Sequence, residues 1–492
     1  MKIRLLPLLA ILSLAALSRA EPVALAQSRT PGTVPVVMLS DIHLDPFHDP
    51  AKLVQLRATP ATGWAAIFDA PPSPTQAADF AQLQSTCGAR GVDTPIALLD
   101  SSLRAAQKQQ PTPLFVTVSG DLMAHQFDCR FHTLAPGATA ADYSAFAAKT
   151  VAFVALQLHR TFPRAPIYFA LGNNDSGCAD YREDPNSTFL HADAASFAAD
   201  ALSPANRAAI LSEFPQLGDY NIALPAPIEH TRLLVLQDIF ESRRCTACNG
   251  KASDDAANAP AALQIAWLRA QLTAARAAHE HVWVMAHIPP GIDAYSTFTR
   301  HRDVCGGQSP EMFLGSEALA DTLTGFPDVI RLALFGHTHM DELRVYMSSD
   351  GKPVPAKLVP SITPINGNNP AFTVAAVEPA TATLKDYTVF AASNQTGIGT
   401  IWSEEYRYSR TYGLPDLSGA SLAKLTSSLL ADKAGTSDAS RAYERFFYVG
   451  DTGLIASIKV AAMQLAWPTF ACAITSSHAT DFRSCVCPAA GQ

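Results

Sequence analysis

The run Val34-Pro35-Val36-Val37-Met38-Leu39 is followed at once by Ser40-Asp41-Ile42-His43, and this pattern indicates the fold class. An apolar run of this length is typical of a β-strand buried on both faces. Five later runs repeat the pattern, each ending in a polar residue or cluster: 114–118, 167–171, 233–236, 282–285 and 330–335. We therefore expect a series of buried strands with polar side chains at their carboxyl ends.

Helical periodicity lies between these runs. Apolar residues recur at three- and four-residue spacing in the segments 97–107, 142–162 and 262–278. Strands that alternate with helices predict an α/β fold. In such folds ligands gather beyond the carboxyl ends of the strands, which is where the polar clusters of this chain stand.

Two segments depart from the alternation. Residues 45–95 carry few regular signals and include Pro71-Pro72-Ser73-Pro74, so they are interpreted as a long loop over one rim of the site. We expect a main domain over residues 33–378 and a helical C-terminal subdomain over 379–492. Short helical patterns support the subdomain, near 419–433, 437–447 and 453–466.

Residues 1–20 have the layout of a secretory signal peptide. A basic start with Lys2 and Arg4 precedes an apolar stretch too short to span a bilayer, and Ser18-Arg19-Ala20 offers a cleavage site. No longer apolar run follows. Cleavage would leave 33 basic against 44 acidic residues, a net charge of −11. We expect a secreted or periplasmic protein without a transmembrane segment that does not bind nucleic-acid polymers, because like charges repel.

The chain has nine cysteines, which in an exported protein predict disulfides. The odd count leaves at least one cysteine outside the intrachain pairs. Cys129 and Cys178 follow Asp121 and Asn173 in loops that leave adjacent strand ends. They are therefore predicted to pair.

Cys245 and Cys248 form a C-x-x-C motif. Because the chain has no second such motif, a local disulfide is favoured over a zinc site. Cys472 is predicted to pair with Cys485 or Cys487, and the sequence does not choose between them.

Metal-binding side chains follow five of the six apolar runs: Asp41, His43, Asp121, Asn173, His287, His337 and His339. Residues i and i+2 of a strand point the same way. Asp41 with His43, and His337 with His339, are each expected to aim two ligands into one pocket. Imidazole and carboxylate together suit zinc, manganese or iron.

Seven ligands are too many for one catalytic metal with an open position. They suit two divalent ions that share a bridging carboxylate. Such a pair acts as a clamp for in-line phosphoryl displacement, with a hydroxide between the ions as the nucleophile.

The order D-x-H, G-D, G-N-x-[DE], H and G-H-x-H resembles that of the calcineurin-like metallophosphoesterases. The tail from Thr411 to Ile474 is similar to the C-terminal helical region of the acid sphingomyelinase-like branch. Three further stretches also resemble that branch: Gly120-Asp121-Leu122-Met123-Ala124-His125, Ala286-His287-Ile288-Pro289-Pro290-Gly291 and Phe335-Gly336-His337-Thr338-His339-Met340-Asp341-Glu342.

The resemblance implies a layered β-sandwich flanked by helices, with two metal ions that are commonly zinc in this branch. It also divides the ligands, with Asp121 bridging. One ion is held by Asp41, His43, Asp121 and His339, and the other by Asp121, Asn173, His287 and His337.

Two departures from the family pattern bear on the substrate. Asn174 stands where the family has a histidine that donates a hydrogen bond or a proton, and an amide cannot deliver a proton at ordinary pH. His125, which matches a substrate-facing histidine of the branch, is then the candidate proton donor. Only about a dozen residues separate Ala20 from the first strand, which leaves no room for the saposin-like domain of acid sphingomyelinase.

Three functions stay open. The leading one is an exported phosphodiesterase of the acid sphingomyelinase-like kind. The second is a nucleotide or polyphosphate hydrolase that cleaves anhydrides, since the related endopolyphosphatases also carry G-N-N-D. The third is an inactive metal-binding module, against which the full ligand set argues. The first two act on a small phosphoester or phosphoanhydride.

Overall fold

The computed structural model describes residues 32–251, 259–449 and 453–487. The predicted signal peptide, residues 1–20, lies outside these ranges. The strands of the described chain are β1 (Val34–Leu39), β2 (Phe115–Ser119), β3 (Ile167–Ala170), β4 (Tyr220–Ala223), β5 (Thr231–Val235), β6 (His281–Met285), β7 (Ile330–Phe335), β8 (Glu342–Met347), β9 (Pro353–Leu358), β10 (Ala371–Glu378), β11 (Thr383–Ala392) and β12 (Trp402–Arg407).

The helices flank these strands. They are α1 (Leu53–Ala58), α2 (Trp64–Asp69), α3 (Gln76–Thr86), α4 (Ile96–Gln109), α5 (Phe127–Leu134), α6 (Ala140–Thr161), α7 (Thr188–Asp200), α8 (Pro204–Leu217), α9 (Pro260–Ala277), α10 (Ala294–Thr299), α11 (Ala318–Thr324), α12 (Tyr408–Tyr412), α13 (Gly419–Ala431), α14 (Asp438–Phe447), α15 (Gly453–Leu465), α16 (Trp467–Thr475) and α17 (Ala479–Val486). Among the described residues, none of these helices has the length and apolar character needed to cross a bilayer.

The strands form two six-stranded sheets. One has the order β12-β11-β10-β1-β2-β3 and the other the order β4-β5-β6-β7-β9-β8. The neighbours β1, β2 and β3 are parallel, as are β5, β6, β7 and β9. The predicted α/β layered sandwich is confirmed, and each of the six predicted strands forms to within two residues at either end.

The second sheet is buried on both faces, as its continuous apolar strands predict. Leu233 and Val235 of β5 belong to the core between the two sheets. Leu234 and Leu236 belong to a second core on the opposite face, together with Leu268 of α9. Alternate residues of one strand therefore serve two cores, because side chains alternate across a pleated strand.

The carboxyl ends of β1, β2 and β7 meet at one edge of the sandwich. Ser119 donates from its hydroxyl to the carbonyl of Phe335 at 3.3 Å, which joins the two sheets. The backbone N–H of Asp41 donates to the carbonyl of Gly120 at 3.0 Å. The residues that follow these strands are thereby brought together.

The segment 45–95 is helical, and its interpretation as a long loop is wrong. It contains α1, α2 and α3, which bury Leu56, Trp64 and Phe80. The Trp64 ring lies 5.4 Å from that of Phe146 on α6. The helices are short and separated by prolines, so no apolar periodicity extends far enough to be recognised in the sequence.

The helical C-terminal segment begins later than residue 379. β11 and β12 follow that position and extend the first sheet, and the helices start at Tyr408. Glu378 of β10 pairs with Thr383 of β11 across a tight hairpin, so the chain turns back into the sheet after residue 379 and the helices begin later. α13, α14 and α15 then form close to their predicted places, and α13 and α16 pack against β8.

The disulfides differ from most of those predicted. Cys129 pairs with Cys87 and Cys178 pairs with Cys248, so the predicted bridges Cys129–Cys178 and Cys245–Cys248 are wrong. Cys245 is a free thiol. The sequence could not reveal these pairs, because only tertiary folding brings their cysteines together. Cys87 and Cys129 are 42 residues apart in the chain, and Cys178 and Cys248 are 70 residues apart.

The C-terminal cysteines follow the prediction more closely. Cys472 pairs with Cys485, one of its two expected partners. Cys305 pairs with Cys487, which ties the loop after α10 to the end of α17.

Candidate dinuclear metal centre

The seven predicted ligands lie at the shared carboxyl edge of the sandwich. The alternation of side chains along a strand, however, is not what aims Asp41 with His43, or His337 with His339, in the same direction. Asp41 and His43 follow the end of β1, and His337 and His339 follow the end of β7. These four residues and Asp121 have left-handed backbone, with φ between 46° and 69°. Such values are uncommon outside glycine and are concentrated at functional sites. Left-handed turns after the strands, and not the alternation within a strand, therefore aim each pair of side chains inward.

Two glycines allow the strand ends to approach this closely. A side chain on Gly172 would collide with the Asp121 carboxylate, and one on Gly336 would collide with Ser40 and Asp41. The glycines of the G-N and G-H motifs are thus explained by close packing against the ligands.

Asp121 lies at the centre of the cluster. Its Oδ2 atom is 3.3 Å from Nε2 of His43 and 3.1 Å from Nε2 of His287. His43 belongs to the first predicted ion site and His287 to the second. One carboxylate oxygen thus faces a ligand of each predicted site, which fits a bridging role.

The first predicted set of four ligands is compact. The ligand atoms of Asp41, His43, Asp121 and His339 all lie within 4.8 Å of one another. Oδ1 of Asp41 is 3.3 Å from Nε2 of His339. These four side chains are buried and could hold one divalent ion.

The second predicted set surrounds the other side of Asp121. Nδ1 of His337 lies 2.9 Å from Oδ1 of Asn173. The His287 and His337 rings are 5.2 Å apart. Asn173 in turn donates from its amide to Asp180 at 2.8 Å, which leaves Oδ1 turned toward His337.

The hydrogen bonds of two histidines fit metal binding. Nδ1 of His43 lies 2.8 Å from the carbonyl of Met123, and Nδ1 of His287 lies 2.8 Å from that of Ser119. A carbonyl only accepts, so Nδ1 carries a proton, and in the neutral imidazole that binds a metal Nε2 presents a lone pair to the centre. Without a metal, the facing Asp121 carboxylate outweighs burial and raises the pKa of both histidines. Both Nε2 atoms are buried without a hydrogen-bond partner among the described residues. A cation would satisfy them, and the residues present therefore fit a metal centre.

The charges of the cluster are strongly coupled. Burial disfavours ionisation of Asp121, but the facing His287 and His43 outweigh it and hold the pKa of Asp121 well below its usual range. Burial lowers the pKa of His337 and of His339 to about 3, so both imidazoles are neutral, as metal ligands are.

Two buried carboxylates hold the ligand loops, and sequence reasoning did not assign them this role. Asp175 accepts from the backbone N–H of Leu122, Met123 and Gly172 at 2.8 to 2.9 Å. It thereby connects the loop of Asp121 with the loop of Asn173.

Asp238 holds the loop that carries His287. Its carboxylate accepts from the N–H of His287 at 3.3 Å and of Ile288 at 2.9 Å. The signal was present in the sequence, because Asp238 follows the fourth apolar run in the same way as the ligands follow theirs.

His125 lies beside the first set of ligands. Its ring stacks on that of His43 with centroids 4.1 Å apart, and its side chain is 24% exposed. Nδ1 of His125 lies 2.9 Å from Oδ1 of Asp93, whose other oxygen accepts from the His125 backbone at 2.9 Å. Asp93 stands in no recognisable motif, so sequence reasoning had no signal by which to select it.

Asn174 points at the carboxylate of Asp121. Its backbone N–H donates to Oδ1 of Asp121 at 2.8 Å, and its side-chain amide donates to Oδ2 at 2.9 Å. The donor expected to face a phosphate is here directed at Asp121.

Comparison with known proteins agrees with this geometry. The profile of the family described as calcineurin-like phosphoesterase matches residues 34–341. The acid sphingomyelinase-like phosphodiesterase 3b of Homo sapiens is 26% identical over 413 residues, which are 80% of each chain. The cyclic GMP-AMP phosphodiesterase SMPDL3A of Rattus norvegicus is 28% identical over 238 residues, 45% of this chain and 48% of the relative.

Among solved structures, a dimetal phosphatase from Danio rerio aligns with 75% of this chain and 98% of its own, with 12% identity and a TM-score of 0.37. The family match spans all the strand ends that carry the seven ligands. The resemblance to the acid sphingomyelinase-like branch is confirmed by its relatives. The chain belongs to the calcineurin-like phosphoesterases and is a metal-dependent phosphoesterase.

Proposed function

We propose that the chain is an exported phosphodiesterase that uses two divalent metal ions, most simply zinc, and takes its leaving-group proton from His125. The compact set Asp41, His43, Asp121 and His339 supports one metal site, and the relatives named as phosphodiesterases support the reaction. For the second ion we propose Asn173, His287 and His337 as ligands beside Asp121. Four disulfides among the described residues support export, because such bonds persist in oxidising compartments.

The observation that carries the proposal is the position of His125 against the ligand cluster. One ring nitrogen of His125 lies within 4.8 Å of the ligand nitrogens of His43 and His339. When bound, the ions would activate water and balance the negative charge of the phosphoryl group. His125 would hold a proton on the nitrogen that faces the site, while Asp93 fixes its orientation.

Asn174 contributes indirectly in this proposal. It donates two hydrogen bonds to Asp121 and so fixes the carboxylate that the two ion sites share. Protonation of the leaving group then depends on His125, since an amide has no proton to give.

A phosphoanhydride hydrolase is the second candidate. The amide at Asn174, where the family pattern has a histidine donor, favours it. The leaving group of an anhydride is a phosphate, which departs with little help from an acid. An active site with one histidine donor in place of two would handle such a substrate more readily than an alkyl ester.

The test begins with purified protein whose metal content has been measured. We expect two divalent ions per chain and hydrolysis of bis(p-nitrophenyl) phosphate that a chelator abolishes. Phosphocholine lipids, dinucleotides, nucleoside triphosphates and polyphosphate are then compared by kcat/KM. Two bound ions without turnover of any ester or anhydride would contradict the proposal and favour an inactive metal-binding module.

A further inference from the structure

Arg130 is a buried charged residue that the proposed mechanism does not use. It lies on α5, which begins two residues after His125, and its side chain is 0% exposed. Arginine keeps its charge in proteins, and a buried charge is costly unless carboxylates balance it. The partners of this guanidinium therefore show which part of the site it serves.

The guanidinium lies between two buried carboxylates. Nη1 of Arg130 donates to Oδ2 of Asp45 at 2.5 Å, and Nη2 lies 3.7 Å from Oδ2 of Asp93. Asp45 belongs to the loop that carries His43, and Asp93 holds the ring of His125. One cation thus faces both the loop of a predicted metal ligand and the partner of the proposed proton donor.

The contact with Asp45 does not account for the whole arrangement. An ion pair between Arg130 and Asp45 would be enough to fasten α5 to the loop after β1. The second terminal nitrogen nevertheless lies beside Asp93, at a distance too long for a hydrogen bond. Nε and Nη2 of Arg130 are buried without a hydrogen-bond partner among the described residues. The effect of Arg130 on Asp93 is therefore that of a nearby charge.

Asp93 needs such a charge to serve His125. Its Oδ1 lies 2.9 Å from Nδ1 of His125, and its Oδ2 accepts from the backbone N–H of His125 at 2.9 Å. A carboxylate in a dry interior stays ionised only where positive charge compensates its burial. Arg130 supplies that charge at Oδ2, while the histidine ring lies at Oδ1. Without Arg130, two buried carboxylates would lose their shared cation.

The surroundings hold Arg130 in place. The disulfide Cys87–Cys129 ties the residue before Arg130 to the end of α3. The ring of Phe80, also on α3, lies 6.0 Å from the guanidinium. The backbone N–H of Arg130 donates to the carbonyl of Gln126 at 3.0 Å. The guanidinium is therefore enclosed on a fixed helix and does not depend on solvent for its orientation.

We propose that Arg130 is a positioning residue for proton transfer: its charge keeps Asp93 ionised and in place, and Asp93 in turn orients the His125 ring toward the leaving group. Arg130 itself touches neither the substrate nor a metal ion. It should therefore affect the step in which His125 gives up its proton, and not substrate binding or metal content. The inference rests on the proposed phosphodiesterase function and adds a residue to its mechanism.

The first test replaces Arg130 with a neutral side chain. In Arg130→Gln the amide can still donate a hydrogen bond to Asp45. We expect kcat for alkyl phosphodiesters to fall by about tenfold or more, and kcat for p-nitrophenyl esters, whose leaving group needs little protonation, by less than about threefold. KM and the number of bound metal ions should not change. Equal losses for the two classes of ester would overturn the inference.

A second variant guards against a protein that fails to fold. Arg130→Met combined with Asp45→Asn removes the ion pair as a whole, so no buried charge is left unpaired at that contact. The same selective loss for alkyl esters is expected. Normal kcat for alkyl esters in a folded variant of either kind would contradict the assignment.

A double-mutant cycle shows whether Arg130 acts through His125. The proton donor is already absent in His125→Gln, so adding Arg130→Gln should lower kcat for alkyl esters by no more than about a further twofold. A loss as large as in the unmodified protein would mean that Arg130 acts elsewhere, and the inference would fail while the phosphodiesterase proposal stands. If the unmodified protein hydrolyses no phosphodiester at all, the proposed function fails first.

Two further variants complete the experiment. Arg130→Lys restores a positive charge, and because Arg130 acts on Asp93 as a charge, we expect it to recover most of the kcat that Arg130→Gln loses on alkyl esters. Leu268→Ala opens a cavity in the second core and controls for a loss of stability alone, with an unchanged ratio of kcat for alkyl and p-nitrophenyl esters. The inference is overturned if Arg130→Lys recovers nothing, or if Leu268→Ala shows the same selective loss.

Discussion

Nδ1 of His125 lies 2.9 Å from Oδ1 of Asp93, across 32 residues of sequence. The same oxygen accepts from the Thr363 hydroxyl at 3.1 Å, and Arg130 approaches the other oxygen at 3.7 Å. Burial would raise the pKa of Asp93, but His125, His43 and Arg130 outweigh it and hold that pKa below its usual range. The ionised carboxylate accepts a hydrogen bond from Nδ1–H and so fixes the tautomer and direction of the His125 ring.

This relationship predicts how His125→Gln behaves. Loss of the proton donor should lower kcat by about 10²–10⁴-fold for alkyl phosphodiesters and much less for p-nitrophenyl esters, whose leaving group needs little protonation. The measurement is kcat across diesters of increasing leaving-group pKa, with His191→Gln, an exposed histidine, as control. Equal losses for good and poor leaving groups would assign His125 a structural role.

Asp121→Asn tests the bridging carboxylate. Its Oδ2 faces His43 and His287 of the two predicted ion sites, so the neutral amide should weaken both. We expect activity to fall by orders of magnitude and bound metal to fall below two ions per chain. Asp350→Asn, at an exposed loop residue, should change neither quantity. Two ions per chain and ordinary turnover in Asp121→Asn would refute the assignment.

Asn174→His tests the departure from the family motif. A histidine at this position could offer a proton where the amide offers only a hydrogen bond. We expect kcat/KM for alkyl phosphodiesters to rise relative to that for aryl esters and anhydrides. The change also removes the bond from the side-chain amide to Asp121, so metal content is measured beside the kinetics. An unchanged substrate ratio with both ions bound would show that protonation at residue 174 does not limit the reaction.

The buried carboxyl of Glu183 is not a metal ligand, and we expect it to make the free energy of unfolding depend on pH. Burial raises the pKa of its carboxyl from an ordinary 4.5 to about 8 in the folded chain. The folded state therefore holds a proton that the unfolded state releases between these two values, and the free energy of unfolding should fall as pH rises from about 4.5 to about 8.

Glu183→Gln isolates this contribution. The amide does not ionise, so its free energy of unfolding should fall less over that pH range, with a difference on the order of a few kcal/mol at most. Denaturant unfolding at pH 5 and pH 8 measures it, and Glu229→Gln, at an exposed position, is the control. Parallel pH profiles for Glu183→Gln and the unmodified protein would show that Glu183 is not the responsible group.

The strands and the order of the ligands could be predicted from local sequence pattern. Apolar runs such as 34–39 and 330–335 are long enough to be strands in any compact fold that buries them, and a polar residue at the end of a buried strand reaches the edge of the sheet. The positions of Asp41 and His337 therefore followed from local pattern. So did the helices of segments 142–162 and 262–278, whose periodicity extends over several turns.

Tertiary structure alone decided which distant residues meet. Asp93 reaches His125 and Cys87 reaches Cys129 only after the sheets have packed. The left-handed turn at His43 is likewise imposed by its surroundings, since positive φ is uncommon for any residue other than glycine. Local pattern fixes which segments are buried, because burial depends on the residues of one segment. The partners of a buried charge or thiol depend on chain packing, and no single segment carries that information.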